Sequence, residues 1–241
     1  GNASFGYFAG GEAGPGTYKS SIDRVDYSND TATATTRSTI SSSRYRIGGT
    51  GNITHGYFAG GTPSTVSTID RLDYSNDTTA ASVRGPLSST RYFVGGFSSQ
   101  ENALPQTYSQ GTVGTFGAGY WGAGGNPSQS EFSTVGRLDF ANDTVKTLTR
   151  GPLNITAMEI AATSSTSHGY FAGGEPSSPS PGTTYVDRVD YSNDTPTASP
   201  RGPLTVQRKI FGAVSNVNFG YFGSGQSGTS KIDRIDFGND T

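Results

Sequence analysis

The hexapeptide DYSNDT stands at residues 26–31, 73–78 and 190–195, and the close copies DFANDT and DFGNDT stand at 139–144 and 236–241. Each copy follows a stretch that alternates in polarity: SIDRV, TIDRL, TVGRL, YVDRV or KIDRI. Upstream lies FGYFAGG (5–11), HGYFAGG (55–61 and 168–174), GYWGAGG (119–125) or FGYFGSG (219–225). Downstream come RSTISSSR, VRGPLSSTR, TRGPLNITAM or PRGPLTVQR. Self-similarity at this period means that one small unit is built repeatedly.

Within a unit, short aromatic and β-branched runs bounded by Gly, Asn, Asp, Ser and Pro read as four strands. In the unit that spans 91–149 they are strand A at 91–96, B at 119–125, C at 133–140 and D at 145–149. Four strands per roughly 50-residue unit is the pattern of a β-propeller blade. The expected fold is an all-β propeller of four-stranded blades forming one repeat domain over 1–241, with units starting near 5, 55, 119, 168 and 219 and an insertion at 97–116. Strands B and C occur five times, A and D four times. The ring is therefore expected to be incomplete, either because the chain is a window from a longer one or because a neighbouring copy supplies strands.

The composition agrees with such a fold. Hydrophobic residues make up only 31% of the 241 residues, with 35 glycines, a net charge of −2 and 11% aromatics including 13 Tyr and 13 Phe. Disorder calls for higher net charge and fewer aromatics, so thin cores between sheets are expected. A near-neutral chain lacks the clustered Lys and Arg that a nucleic-acid partner demands. No apolar run approaches a membrane span. The absence of Cys removes disulfides, Cys-containing zinc sites and Cys nucleophiles.

The unit resembles the kelch repeat: an apolar strand ending in Gly-Gly, an Arg-x-Asp strand, and a Pro-containing turn closing on Arg. Gly10-Gly11, Gly60-Gly61, Gly124-Gly125 and Gly173-Gly174 match the first element. Arg24/Asp26, Arg71/Asp73, Arg137/Asp139, Arg188/Asp190 and Arg234/Asp236 match the second, and Arg44, Arg91 and Arg208 the third. Ser224 interrupts the last doublet, Met158 stands where a closing Arg is expected, and the kelch Trp of strand D is absent. The wording also resembles repeats in virion structural proteins, tail and fibre components, of marine cyanophages. That resemblance implies a structural or adhesive module of a virion fibre or other extracellular assembly, at the virion or cell surface.

All 14 aspartates fall in the DRxD[YF]xNDT element. A carboxylate present in every unit is expected to be a structural device of the repeat. Residues two apart on a strand share a face, so Arg24 and Asp26 can pair with each other or across blades. The triads Asp26/Ser28/Asp30, Asp73/Ser75/Asp77 and Asp190/Ser192/Asp194 offer alternating oxygens, as the first half of a calcium loop does. Ala141 and Gly238 break that pattern in the other two copies, and no closing Glu follows. As a turn, the same segment uses Asn and Asp to tolerate left-handed backbone and to cap itself. As a glycan acceptor it supplies N-x-T. Eight of the 12 asparagines lie in sequons: Asn2, Asn29, Asn52, Asn76, Asn142, Asn154, Asn193 and Asn239.

No catalytic constellation is expected. His55 and His168 take the position that Phe5 and Phe219 fill in sister units, and no nucleophile elbow, zinc helix or phosphate loop is present. No cofactor is implied beyond calcium. Binding is expected in the variable B–C loops at 12–21, 126–132 and 175–185, which share one face. There Tyr18, Phe132 and Tyr185 are candidate contacts, with Tyr108 on the opposite face. Partners in this reading are other copies, assembly proteins or surface glycans. A carbohydrate-binding lectin and a glycosylated surface protein are the alternatives.

Overall fold

The computed structural model describes residues 1–99, 117–126, 128, 130–176, 180–226 and 230–240. It is all-β, with five antiparallel sheets arranged as the blades of a propeller ring. The first holds β1 (Phe5–Ala9), β2 (Ser21–Asp26) and β3 (Thr35–Thr39). The second holds β4 (Gly48–Gly51), β5 (His55–Ala59), β6 (Ile69–Asp73) and β7 (Ser82–Arg84). The third holds β8 (Gly95–Ser98), β9 (Ala118–Gly122), β10 (Val135–Asp139) and β11 (Leu148–Arg150). The fourth holds β12 (Ala161–Ser164), β13 (His168–Ala172), β14 (Val186–Asp190) and β15 (Ser199–Pro200). The fifth holds β16 (Gly212–Ser215), β17 (Phe219–Gly223) and β18 (Ile232–Asp236). Within each sheet the strands are hydrogen-bonded in chain order, so among the described residues the first sheet has strands B, C and D and the fifth strands A, B and C. Among the described residues no helix is long and apolar enough to cross a membrane.

The strand bounds differ from the sequence reading in an instructive way. Strand A of the third sheet is Gly95–Ser98, four residues later than expected at its start, because Arg91 and Tyr92 belong to the corner before it. Phe97, assigned from sequence to the insertion, is a buried core residue of β8, and residues 100–116 lie outside the described set. Strand D is short and late, at Leu148–Arg150, since the residues after the NDT triplet form the turn itself.

Four hydrophobic cores lie between successive sheets. Phe58 packs with Ile22 and Ile40, Trp121 with Ile69 and Leu87, Phe171 with Val135 and Leu153, and Phe222 with Val186 and Leu204. In the second, third and fourth sheets strands B and C pack on both faces, and period 2 gives each face a separate neighbour. Tyr57 and Ile69 face the third sheet, whereas Phe58 and Leu72 face the first. This is why 31% hydrophobic content suffices: each core is one layer of side chains thick.

The glycine doublet has a steric reason. Gly60 and Gly61 have φ of 70° and 111°, and a Cβ on Gly60 would lie 2.5 Å from the Arg91 carbonyl oxygen. The Gly61 N–H donates to that same carbonyl at 2.9 Å, so the corner requires both left-handed backbone and close approach. In the third sheet the pair with this conformation is Ala123-Gly124 rather than Gly124-Gly125, and in the fifth Ser224 adopts φ of 65°.

Candidate functional site

The repeated charges assemble into a device that recurs at every junction between adjoining sheets. Antiparallel register places Tyr57 opposite Arg71, Tyr120 opposite Arg137 and Tyr170 opposite Arg188. These pairs present a phenol and a guanidinium side by side to the following sheet. There the last Asp of the NDT triplet receives both, together with an arginine from strand D. Asp77 accepts from Tyr7 (2.9 Å), Arg24 (2.8 Å) and Arg37 (2.8 Å). Asp143 accepts from Tyr57 (3.0 Å) and Arg71 (2.8 Å), with Arg84 at 3.4 Å. Asp194 accepts from Tyr120 (2.9 Å) and Arg137 (3.0 Å), with Arg150 at 3.3 Å. Asp240 accepts from Tyr170, Arg188 and Arg201.

The aromatic residue of the same hexapeptide stacks on the clamp tyrosine. Tyr74 lies 4.9 Å from Tyr7, Phe140 4.9 Å from Tyr57, Tyr191 5.4 Å from Tyr120 and Phe237 5.1 Å from Tyr170, all near-parallel. The first Asp of the hexapeptide does something different: Asp73 Oδ1 accepts from the Ser75 N–H and hydroxyl, which caps the turn. Arg24 therefore pairs across sheets with Asp77 and not with Asp26. Left-handed backbone, expected for the turn, is not used in the second and third sheets: Tyr74–Asn76 and Phe140–Asn142 are 3-10 turns, and Asp77 and Asp143 have φ of −73° and −80°. Burial raises and its three donors lower the Asp77 pKa, and the donors prevail: it lies below the ordinary 3.8.

A second pin joins the sheets on the other side of strand C. Arg44, fully buried, pairs with Asp70 and Ser42, and Arg208 pairs with Asp233 while donating to the Phe222 and Lys231 carbonyls. Where Gly136 replaces the acceptor aspartate, Arg91 donates instead to the carbonyls of Ala123 (3.0 Å) and Thr134 (3.1 Å), and burial pushes its pKa down to about 10. The structure places Ala157, not Met158, at the closing-Arg position, because the Gly124 N–H bonds the Ala157 carbonyl as Gly61 bonds Arg91. Asn154 compensates there: its N–H and Nδ2 donate to Asp187 at 2.9 and 2.7 Å.

The sequence-derived candidates fall apart by location. Asp77 and Asp194 point to the arginines of the preceding sheet, while Asp73 and Asp190 cap their own turns, as Asp26 does. Asp30 is exposed. Among the described residues no group of three or more His, Asp or Glu is placed to hold a metal ion. Asn29, Asn76, Asn142, Asn193 and Asn239 are exposed on the C–D turns. Asn2 and Asn52 instead accept backbone N–H groups at the preceding turns, and Asn154 commits its Nδ2 to Asp187 and to the Ala198 carbonyl. His55 and His168 are half-buried, each tilted against the tyrosine two residues on.

Of the candidate aromatics, Tyr18 stacks on Tyr45 of the next sheet at 4.9 Å, and Phe132 lies under the Arg91 guanidinium at 5.0 Å. Tyr185 is 50% exposed, and Tyr108 lies outside the described residues. Tyr18, Phe132 and Tyr185 belong to three different sheets, and among the described residues they line no common pocket.

A feature missed in the sequence is the axial mouth. Arg46, Phe93, Glu159 and Ile210 all take left-handed φ, between 51° and 61°, a conformation unusual for non-glycine residues. They line a cavity of about 370 Å³ on the propeller axis. The corners are tied by the Phe93 N–H to the Arg46 carbonyl (2.9 Å) and the Ile210 N–H to the Glu159 carbonyl (3.1 Å). No composition signal marks these positions, whose residues share neither size nor charge. No protein-family model matches the chain, and a search of curated proteins finds no significant relative.

Proposed function

We propose that the chain is a non-catalytic structural or adhesive propeller module that binds through its variable B–C loops, in a virion fibre or another extracellular assembly. One observation supports this reading above the rest. The repeated charged residues are spent on joining sheets, as in the Tyr57, Arg71, Arg84 and Asp143 clamp, while length and composition vary in the B–C loops. A rigid frame with varied loops on one face suits recognition. The kelch-like pattern and the resemblance to cyanophage virion repeats supply the setting, and near-neutral charge favours protein or glycan partners over nucleic acid.

Half-exposed Tyr185, in the longest B–C loop, favours a second reading as a lectin, because an exposed aromatic face stacks on sugar rings. Binding to immobilised glycans, compared between the chain and Tyr185→Ala, separates the two. Saturable glycan binding lost in the variant supports the lectin. No glycan binding, with capture of an assembly protein through the same face, supports the structural module. Retained binding by a variant with the three variable B–C loops at 12–21, 126–132 and 175–185 shortened would overturn both.

A further inference from the structure

Among the described residues four junctions between sheets are built, and the outer faces of the first and fifth sheets carry the same residue types unpaired. On the first sheet, Phe8, Tyr27 and Asp30 occupy the positions that Phe58, Tyr74 and Asp77 hold on the second. Phe8 is 66% and Tyr27 49% exposed, against 7% for Phe58. Asp30 is exposed and has no hydrogen-bond or ion-pair partner among the described residues. On the fifth sheet, Tyr221, Arg234 and Ile232 occupy the positions of Tyr57, Arg71 and Ile69. Register holds Tyr221 opposite Arg234, and Ile232 is 69% exposed where Ile69 is fully buried.

Arg234 is already set for an acceptor. Its guanidinium lies over the Phe219 ring at 4.4 Å, as Arg24 lies over Phe5 at 4.1 Å while reaching Asp77. Among the described residues no hydrogen bond, ion pair or ring contact joins the first sheet to the fifth.

We propose that these faces are the two halves of a head-to-tail contact between copies of this chain. Asp30 of one copy takes Arg234 and Tyr221 of the next, Tyr27 stacks on Tyr221, and Phe8 covers Ile232. The complementarity is that of the four internal junctions, without a strand-D arginine among the described residues of the fifth sheet. Formed between separate molecules, the contact depends on concentration. It is also heterologous, so it closes into a ring of copies or grows as a filament according to the rotation between them. The inference is independent of what the B–C loops bind.

Sedimentation velocity of the 241-residue chain across a wide concentration range tests it. The expected result is concentration-dependent association, weakened on the order of 30-fold or more by Asp30→Arg or Arg234→Asp. An equimolar mixture of the two variants regains association, since each retains one intact face. Both residues are exposed, and circular dichroism checks that each variant folds. A chain that stays monomeric throughout overturns the proposal, as does association that the two substitutions leave unchanged. A monomer whose melting temperature falls in either variant also overturns it, because that result means closure within one chain.

Discussion

The clamps permit a controlled comparison, because the same residue of the same hexapeptide is buried at one junction and free at another. Asp143 is 7% exposed and holds Tyr57, Arg71 and Arg84. Replacing it with Ala leaves two guanidinium groups facing one another with no anion between them. Breaking a fully buried ion pair costs about 3–5 kcal/mol. Arg71 and Arg84 retain 25% and 21% exposure, so water recovers part of the loss, and about 2–3 kcal/mol is expected. At about 2–4 °C per kcal/mol for a chain of this size, Asp143→Ala lowers the melting temperature by about 4–12 °C. Asp30→Ala, measured at dilute concentration, leaves it within about 2 °C. Thermal melts followed by circular dichroism read both. Equal shifts for the two variants, or an unshifted Asp143→Ala, would refute the claim that the hexapeptide's last carboxylate holds sheets together.

Acid acts on the same device. Asp77 has a folded pKa below 3.8, so its contribution is complete above pH 4 and is lost as pH falls through the folded value; melting temperature against pH is expected to drop there less steeply in Asp77→Asn. Asn154→Ala strips the two Nδ2 hydrogen bonds, to Asp187 and to the Ala198 carbonyl, and leaves the backbone N–H on buried Asp187, whose pKa burial already raises. Urea unfolding is expected to show a loss of about 1–3 kcal/mol, and a value near zero would argue against Asn154 as the stand-in for the missing arginine. Trp121→Ala empties a fully buried site between the second and third sheets and is expected to destabilise by about 3–5 kcal/mol. Phe8→Ala, at the equivalent but uncovered position, is expected to leave dilute-chain stability nearly unchanged.

Much of this architecture can be read from one-dimensional pattern. The repeat of DYSNDT determines the number of strand-B and strand-C pairs, and alternation in SIDRV and its copies determines which residues share a face. Those are properties of local backbone geometry, period 2 in a strand and a fixed turn after it, and a single chain displays them directly. Strand A of the third sheet was misplaced because RYFV carries strand composition while its backbone turns a corner at Phe93, with φ of 54°. Composition does not report such a corner.

The partners of the charges were decided only by the tertiary structure. In IDRL, residues 69–72, Arg71 and Asp70 are adjacent in sequence, yet one binds Asp143 of the third sheet and the other Arg44 from the corner after the first. A strand buried on both faces sends alternate side chains to different neighbours, and sequence contains no record of which neighbour lies on which side. The same reason separates Asp77 from Asp73: four residues apart in one turn, one carboxylate reaches the preceding sheet and the other folds back on its own backbone. It also separates Asp30 from its four counterparts: among the described residues no neighbouring sheet brings it an arginine, and no residue near it in the chain reports that.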